Sequence, residues 1–149
     1  MRWVPERPGI FLLALVLLQA CSDGYPREDA PLPSPFDMDS AQRITALNEI
    51  GAKAHMEQRR RFELQGDCGL QVTTKRPKTR ELRETFELQR SMDVRVAFDK
   101  AGQTFDVHLV SRAEQPEVRL GILLKSTRWT DATRAHLLLQ LLARDCGRA

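Results

Sequence analysis

The chain has 149 residues, of which 42% are apolar and 29% charged, an ordinary balance for a globular protein. That length allows one modest domain and excludes two. The formal charge of +3 is too small an excess to imply a nucleic-acid partner.

The N-terminus has the layout of an export signal. Arg2 and Arg7 supply positive charge, Ile10 to Leu18 is an unbroken apolar run, and Ala20 is a small residue before Cys21. A spanning helix needs about 20 apolar residues, so this run is too short to cross a bilayer. The sequence Leu18-Gln19-Ala20-Cys21 resembles the signal of bacterial lipoproteins, which is cut before the cysteine. The resemblance implies a signal peptide over 1–20 and an acylated Cys21 as the new N-terminus. Two or three acyl chains exceed what stable anchoring requires. In that family an Asp directly after the cysteine often means retention in the inner membrane. Ser22 stands there, which implies a periplasm-facing anchor in the outer membrane, with the periplasmic side of the inner membrane as the alternative. An ordinary secretory signal, with Cys21 left as a spare thiol, is the competing reading.

Residues 21–39 carry Pro26, Pro31, Pro33 and Pro35 among few apolar residues and are expected to form a tether. At about 3.1 Å per residue it would let the domain stand up to about 50 Å from its anchor. Phe36 and Met38 are its two candidates for docking on the domain. The domain itself is expected over 40–149.

Asp39 or Ser40 is an N-cap candidate for a helix running to about Leu64, with Ala41, Ile44, Leu47, Ile50 and Ala54 forming its apolar stripe and Gly66 its stop. Beyond Cys68 the apolar period changes to two. Leu70, Val72 and Thr74 make a short strand. The run 92–98 alternates, and so does 105–109, with Asp99-Lys100-Ala101-Gly102 as a turn whose glycine supplies a positive φ. Residues 81–90 have a helix-favouring composition, but the turn-like Arg76-Pro77-Lys78-Thr79 before them favours a strand. Val118, Leu120, Ile122 and Leu124 give another strand. Thr130 is predicted to cap a last helix of about 14 residues, with Cys146 following its end. The fold class is therefore α+β: an N-terminal helix, an antiparallel sheet of about three to five strands, and a C-terminal helix.

With Cys21 assigned to lipid, Cys68 and Cys146 remain as a pair suited to a disulfide in an oxidising compartment. Metal binding is the alternative, but neither C-x-x-C spacing nor a nearby His supports it. His55, His108 and His136 stand alone, without a metal-ligand spacing. The chain contains no nucleophile elbow, no S-x-x-K and no phosphate-binding glycine motif. Catalytic, cofactor and metal residues are accordingly assigned to none, and the chain is read as a non-enzyme. Asp93 and Asp99, near strand ends, are expected to face solvent.

Basic clustering is the remaining signal. Arg59-Arg60-Arg61 is expected at the end of the first helix, with Lys75, Arg76, Lys78, Arg80 and Arg83 crowding the following turn. Glu57, Glu63, Glu81 and Glu84 interleave with them, as a merely solvated charge run would also require.

Three functional readings follow. The first is a membrane-anchored envelope lipoprotein that docks another envelope protein, possessing a free strand edge at 70–75 or 118–124 for β-augmentation. The second is a binding module for an anionic envelope component such as lipopolysaccharide, acidic lipid or an acidic polymer, using the basic cluster. The third is a small hydrolase with a site assembled from His108 and Asp106 or Glu117.

Overall fold

Helix α1 starts where its capping chemistry dictates. The structure, a computed structural model, describes residues 33–66, 68–113 and 116–146. The expected leader, Cys21 and the tether as far as residue 32 lie outside the described residues. Asp39 is the N-cap of α1 (Ser40–Lys53): its carboxylate accepts from the Gln42 N–H at 2.8 Å, and the Gln42 side chain accepts from the Asp39 N–H at 2.9 Å. This reciprocal box satisfies two N–H groups that would otherwise have no helical partner. Ahead of the cap, Met38 is buried, and the Pro35 carbonyl accepts from Arg43 Nε at 3.2 Å.

The helix ends at Lys53, well short of the expected Leu64. Its apolar stripe runs out at Ala54, and from Arg60 the pattern alternates instead. Arg60 and Phe62 are buried, while Arg59 and Arg61 are exposed. Those residues form strand β1 (Arg59–Gln65). Gly66, at φ +56°, is not a helix stop but part of the turn into β2 (Gly69–Lys75). Strand β3 (Leu82–Glu87) follows, so the ambiguous 81–90 segment is a strand. The three strands form an antiparallel sheet in the order β1-β2-β3. Here α1 covers the outer edge of β1. Asn48 donates to the Phe62 carbonyl at 3.0 Å and accepts from the Phe62 N–H at 2.7 Å, replacing a missing strand neighbour.

The chain then starts a second antiparallel sheet instead of extending the first. Leu88 is buried, its N–H bonded to the Cys68 carbonyl, and the Met92 N–H turns back onto Gln89. Strands β4 (Met92–Asp99), β5 (Thr104–Ser111) and β6 (Val118–Ser126) pair in the order β4-β5-β6. The expected hairpin is present, with Asp99 opposite Thr104. Its positive φ falls on Gln103, at 51°, rather than on Gly102. Gly102 serves proximity, because a Cβ there would lie 2.9 Å from the Asp99 carboxylate. Two register irregularities in the β5–β6 ladder leave Leu120 and Leu123 without a cross-strand partner.

Helix α2 (Trp129–Cys146) is longer than expected and includes Cys146; Thr130 is its second residue, not its cap. Its buried face (Ala132, Ala135, Leu138, Leu139, Leu142) packs with Val94, Val107, Leu109 and Leu124 of the second sheet in one core. Phe62, Leu70 and Val72 of the first sheet belong to that same core, as do Leu47 and Ile50 of α1. Phe86 joins the sheets by lying against Gly121, where a Cβ would come within 2.6 Å of its ring. Cys68 and Cys146 are joined as a disulfide with Cα atoms 5.5 Å apart, which ties the β1–β2 turn to the end of α2. The architecture is α+β with two three-stranded sheets, where one sheet was expected. No helix among the described residues is long and apolar enough to cross a membrane.

A candidate anion-binding face

The three consecutive arginines of β1 do not act together, because successive side chains of a strand point to opposite faces. Arg59 and Arg61 emerge on the outer face of the first sheet. The register sets Arg59 opposite Lys75, Arg61 opposite Thr73, and Thr73 opposite Arg83. Four cations from three strands thus surround a Thr73 hydroxyl. They line an open cavity of about 470 Å³, together with Asn48 and Gln71.

Two carboxylates temper this charge. Arg61 pairs with Glu63 at 3.1 Å, while Glu81 lies 3.8 Å from Lys75 and 3.7 Å from Arg83. Arg59 makes no ion pair among the described residues. These pairs are largely solvent-exposed, so each holds its cation weakly and an incoming anion can displace it.

Arg60 is the exception to the expected cluster. It is 7% exposed, faces inward, and donates through its guanidinium to the Ile122 carbonyl of β6. Burial lowers its pKa to about 10; Glu84 and Asp106 act to raise it, and Arg76 acts to lower it. It remains charged at neutral pH; although it borders the same cavity, its buried guanidinium is committed to the bridge between the sheets. The Arg60 Nε and the Thr74 hydroxyl directly across the ladder are both buried without a hydrogen-bond partner among the described residues.

Arg76, Lys78 and Arg80 are exposed on the turn joining β2 to β3, where Lys78 adopts φ 59°. Arg76 lines a separate opening with Glu57 and Gln58, while Arg80 meets Glu81 and Arg83. The turn cations therefore flank the sheet face instead of forming its centre. Asn48 and Thr73 are parts of the face that sequence reasoning missed. The alternation from Arg59 to Gln65 was the signal that would have separated Arg60 from its neighbours.

The groups named for hydrolysis do not assemble into a catalytic set. Asp106 is buried, and its two oxygens are occupied by the Thr104 hydroxyl and the Lys125 ammonium, each at 2.7 Å. Lys125 also reaches Asp99 at 3.4 Å. Glu117 pairs with Arg95 at 3.1 Å. His108 lines the same opening as Asp106, but its buried Nδ1 has no hydrogen-bond partner among the described residues. Its pKa is lowered, first by burial, then by Arg119 and Lys125, against an opposing effect of Asp106.

Asp93, expected at the surface, is 3% exposed. Burial alone would raise its pKa. The Arg112 and Val94 hydrogen bonds and the charges of Arg112 and Arg95 outweigh that and hold it below the usual carboxylate range. His55 Nδ1 accepts from the Glu57 N–H, and His136 Nε2 contacts the Val94 carbonyl at 3.0 Å. Among the described residues no three metal-ligating side chains cluster.

The proposed strand-docking edges also change. Residues 70–75 lie in β2, the central strand of its sheet, with both edges already paired. Strand β6 is an edge strand, but Arg60 occupies its Ile122 carbonyl. At its beginning, Val118 and Leu120 are 39% and 40% exposed, and no second strand pairs with β6 among the described residues. No family model matches this chain, and neither a curated protein nor a solved structure matches it.

Proposed function

We propose that this chain is a non-catalytic envelope lipoprotein, anchored through an acylated Cys21 and facing the periplasm from the outer membrane. Its working surface is the cationic face of the first sheet, and its ligand is an anionic envelope component such as the phosphates of lipopolysaccharide. The observation that carries this reading is the convergence of Arg59, Arg61, Lys75 and Arg83 on one open face. Four cations set against Glu63 and Glu81 leave a net local excess of two, and each Lys or Arg near an anionic surface contributes about 1 kcal/mol.

The test is binding of the full chain to lipopolysaccharide across a salt series. Arg59→Ala/Lys75→Ala/Arg83→Ala should weaken binding by about tenfold to a hundredfold and flatten its salt dependence. The turn variant Arg76→Ala/Lys78→Ala/Arg80→Ala should lose less. Unchanged binding in the face variant rejects the assignment. Mass spectrometry of the mature N-terminus tests acylation at Cys21 separately.

A second reading, docking of an envelope protein by strand addition, draws support from exposed Val118 and Leu120 at the start of β6. Crosslinking in intact envelopes distinguishes the two, since strand addition would place the partner on residues 118–120 and away from the cationic face.

A further inference from the structure

A cavity of about 650 Å³ opens on a different part of the domain, beside the C-terminal half of α2. Its lining is mixed, with Asp93 and Gln140 as polar members beside an apolar group. Met92 and Val94 contribute to that group from β4, and Leu137 and Leu141 from α2. Val94 and Leu141 are 0% and 3% exposed and lie beneath the cavity surface, so half-buried Met92 and Leu137 present most of its accessible apolar area. Phe36, 62% exposed, supplies a wall from the segment ahead of α1.

Three exposed arginines line the same cavity from three separate segments: Arg90 before β4, Arg112 after β5, and Arg144 on α2. Their counter-charges are few. Asp93 is engaged by Arg112 at 2.7 Å and by Arg95 at 3.1 Å. Asp145 lies 3.9 Å from Arg144 but is bonded to Arg43 through its other oxygen. Arg90 makes no ion pair among the described residues. An apolar group beside surplus guanidinium groups complements a molecule with a hydrocarbon body and an anionic head. The guanidinium fork matches a carboxylate in particular.

From this geometry we infer that the cavity is a binding site for a single-chain amphipathic carboxylate, a fatty acid. Its chain lies over Met92, Leu137 and Leu141, and its head lies between Arg90 and Arg144. The volume is within the range of sites for small organic ligands. The site is independent of the cationic sheet face, so either assignment can fail alone.

The test uses the full chain in zwitterionic nanodiscs, diazirine-tagged dodecanoic acid, and mapping of labelled peptides after illumination. Labels should concentrate on 92–94 and 137–144. Tagged dodecanol, which lacks the charge, should label these segments about tenfold less, and Arg90→Ala/Arg144→Ala should lose labelling by about the same factor. Ala143→Trp, which fills the cavity, should abolish it. Should Ala143→Trp fail to fold, the arginine pair still decides, because both side chains are exposed. Three outcomes overturn the inference: equal labelling by the alcohol, unchanged labelling in the arginine variant, or labels spread over exposed Leu82, Val118 and Leu120. Equal labelling by a tagged phosphatidylglycerol overturns the single-chain assignment.

Discussion

The two sheets have the same topology, a three-stranded antiparallel meander, and opposite ways of handling charge. On the outer face of the first, Arg59, Arg61, Lys75 and Arg83 stand in solvent beside loosely held carboxylates. On the polar face of the second, Asp93, Asp106 and His108 are all less than 5% exposed. Asp106 is bonded to Lys125 and Thr104, and Asp93 to Arg112 and Arg95. Exposed charges interact weakly with each other and remain available to a ligand. Buried ones are costly unless satisfied, so their partners are fixed and they serve the fold. Charged residues are therefore a poor guide to a binding surface until the exposure of each is known.

The crosslink between the first sheet and the end of α2 should give the largest effect. The Cys68–Cys146 bridge closes a span of 78 residues, and on the loop-entropy model its loss costs about 4 kcal/mol. Urea unfolding with and without reductant measures this. A single transition in both conditions means the sheets form one cooperative unit, whereas two transitions on reduction would show that only the crosslink unites them.

Next come the three arginines of β1. Arg60→Ala removes the inter-sheet hydrogen bond and strands the Ile122 carbonyl, so it should destabilise by about 2 kcal/mol while leaving anion binding intact. Arg59→Ala and Arg61→Ala should shift stability by less than about 0.5 kcal/mol and weaken binding instead. The opposite pattern would mean the faces have been assigned the wrong way round.

A third contrast lies within the second sheet. Asp106→Ala leaves the Thr104 hydroxyl without its acceptor and Lys125 with Asp99 alone. A loss of about 1–2 kcal/mol is expected in denaturant unfolding, smaller than for a fully buried pair because Lys125 retains some solvent contact.

The smallest effect is a pH dependence. With the folded-state pKa of His108 below its ordinary value near 6.5, the unfolded chain binds a proton that the folded chain refuses. This contribution to stability is full above about pH 6.5 and declines as pH falls below it, by at most about 1.4 kcal/mol per unit. His108→Leu should remove that slope. Asp93 is also held below its ordinary range, but its contribution is present above about pH 4 and is lost only as pH falls further. The difference in unfolding midpoint between the parent chain and His108→Leu, followed between pH 5 and 7.5, therefore reads this histidine.

Much of the fold was legible because apolar period is a local property. The 92–98 and 105–109 alternation forms its hairpin, the strand reading of 81–90 holds, and Asp39 caps its helix. The error at 54–65 arose from extending a helical stripe past its last apolar residue, although Phe62 and Leu64 already alternate with charges. As to the candidate site, the residues of the basic cluster were visible as a list, but their division was not. Whether Arg60 faces in or out depends on which side α1 and β6 cover.

By itself the chain determined the α+β class, most of its strands and the abundance of cations near β1 and β2, since these follow from local periodicity and composition. Only the tertiary structure decided that the strands divide into two sheets, that Arg60 is a buried bridge, and that Asp93 leaves the surface. Those outcomes depend on contacts between residues far apart in sequence, such as Arg60 with Ile122 and Phe86 with Gly121, which no local pattern encodes.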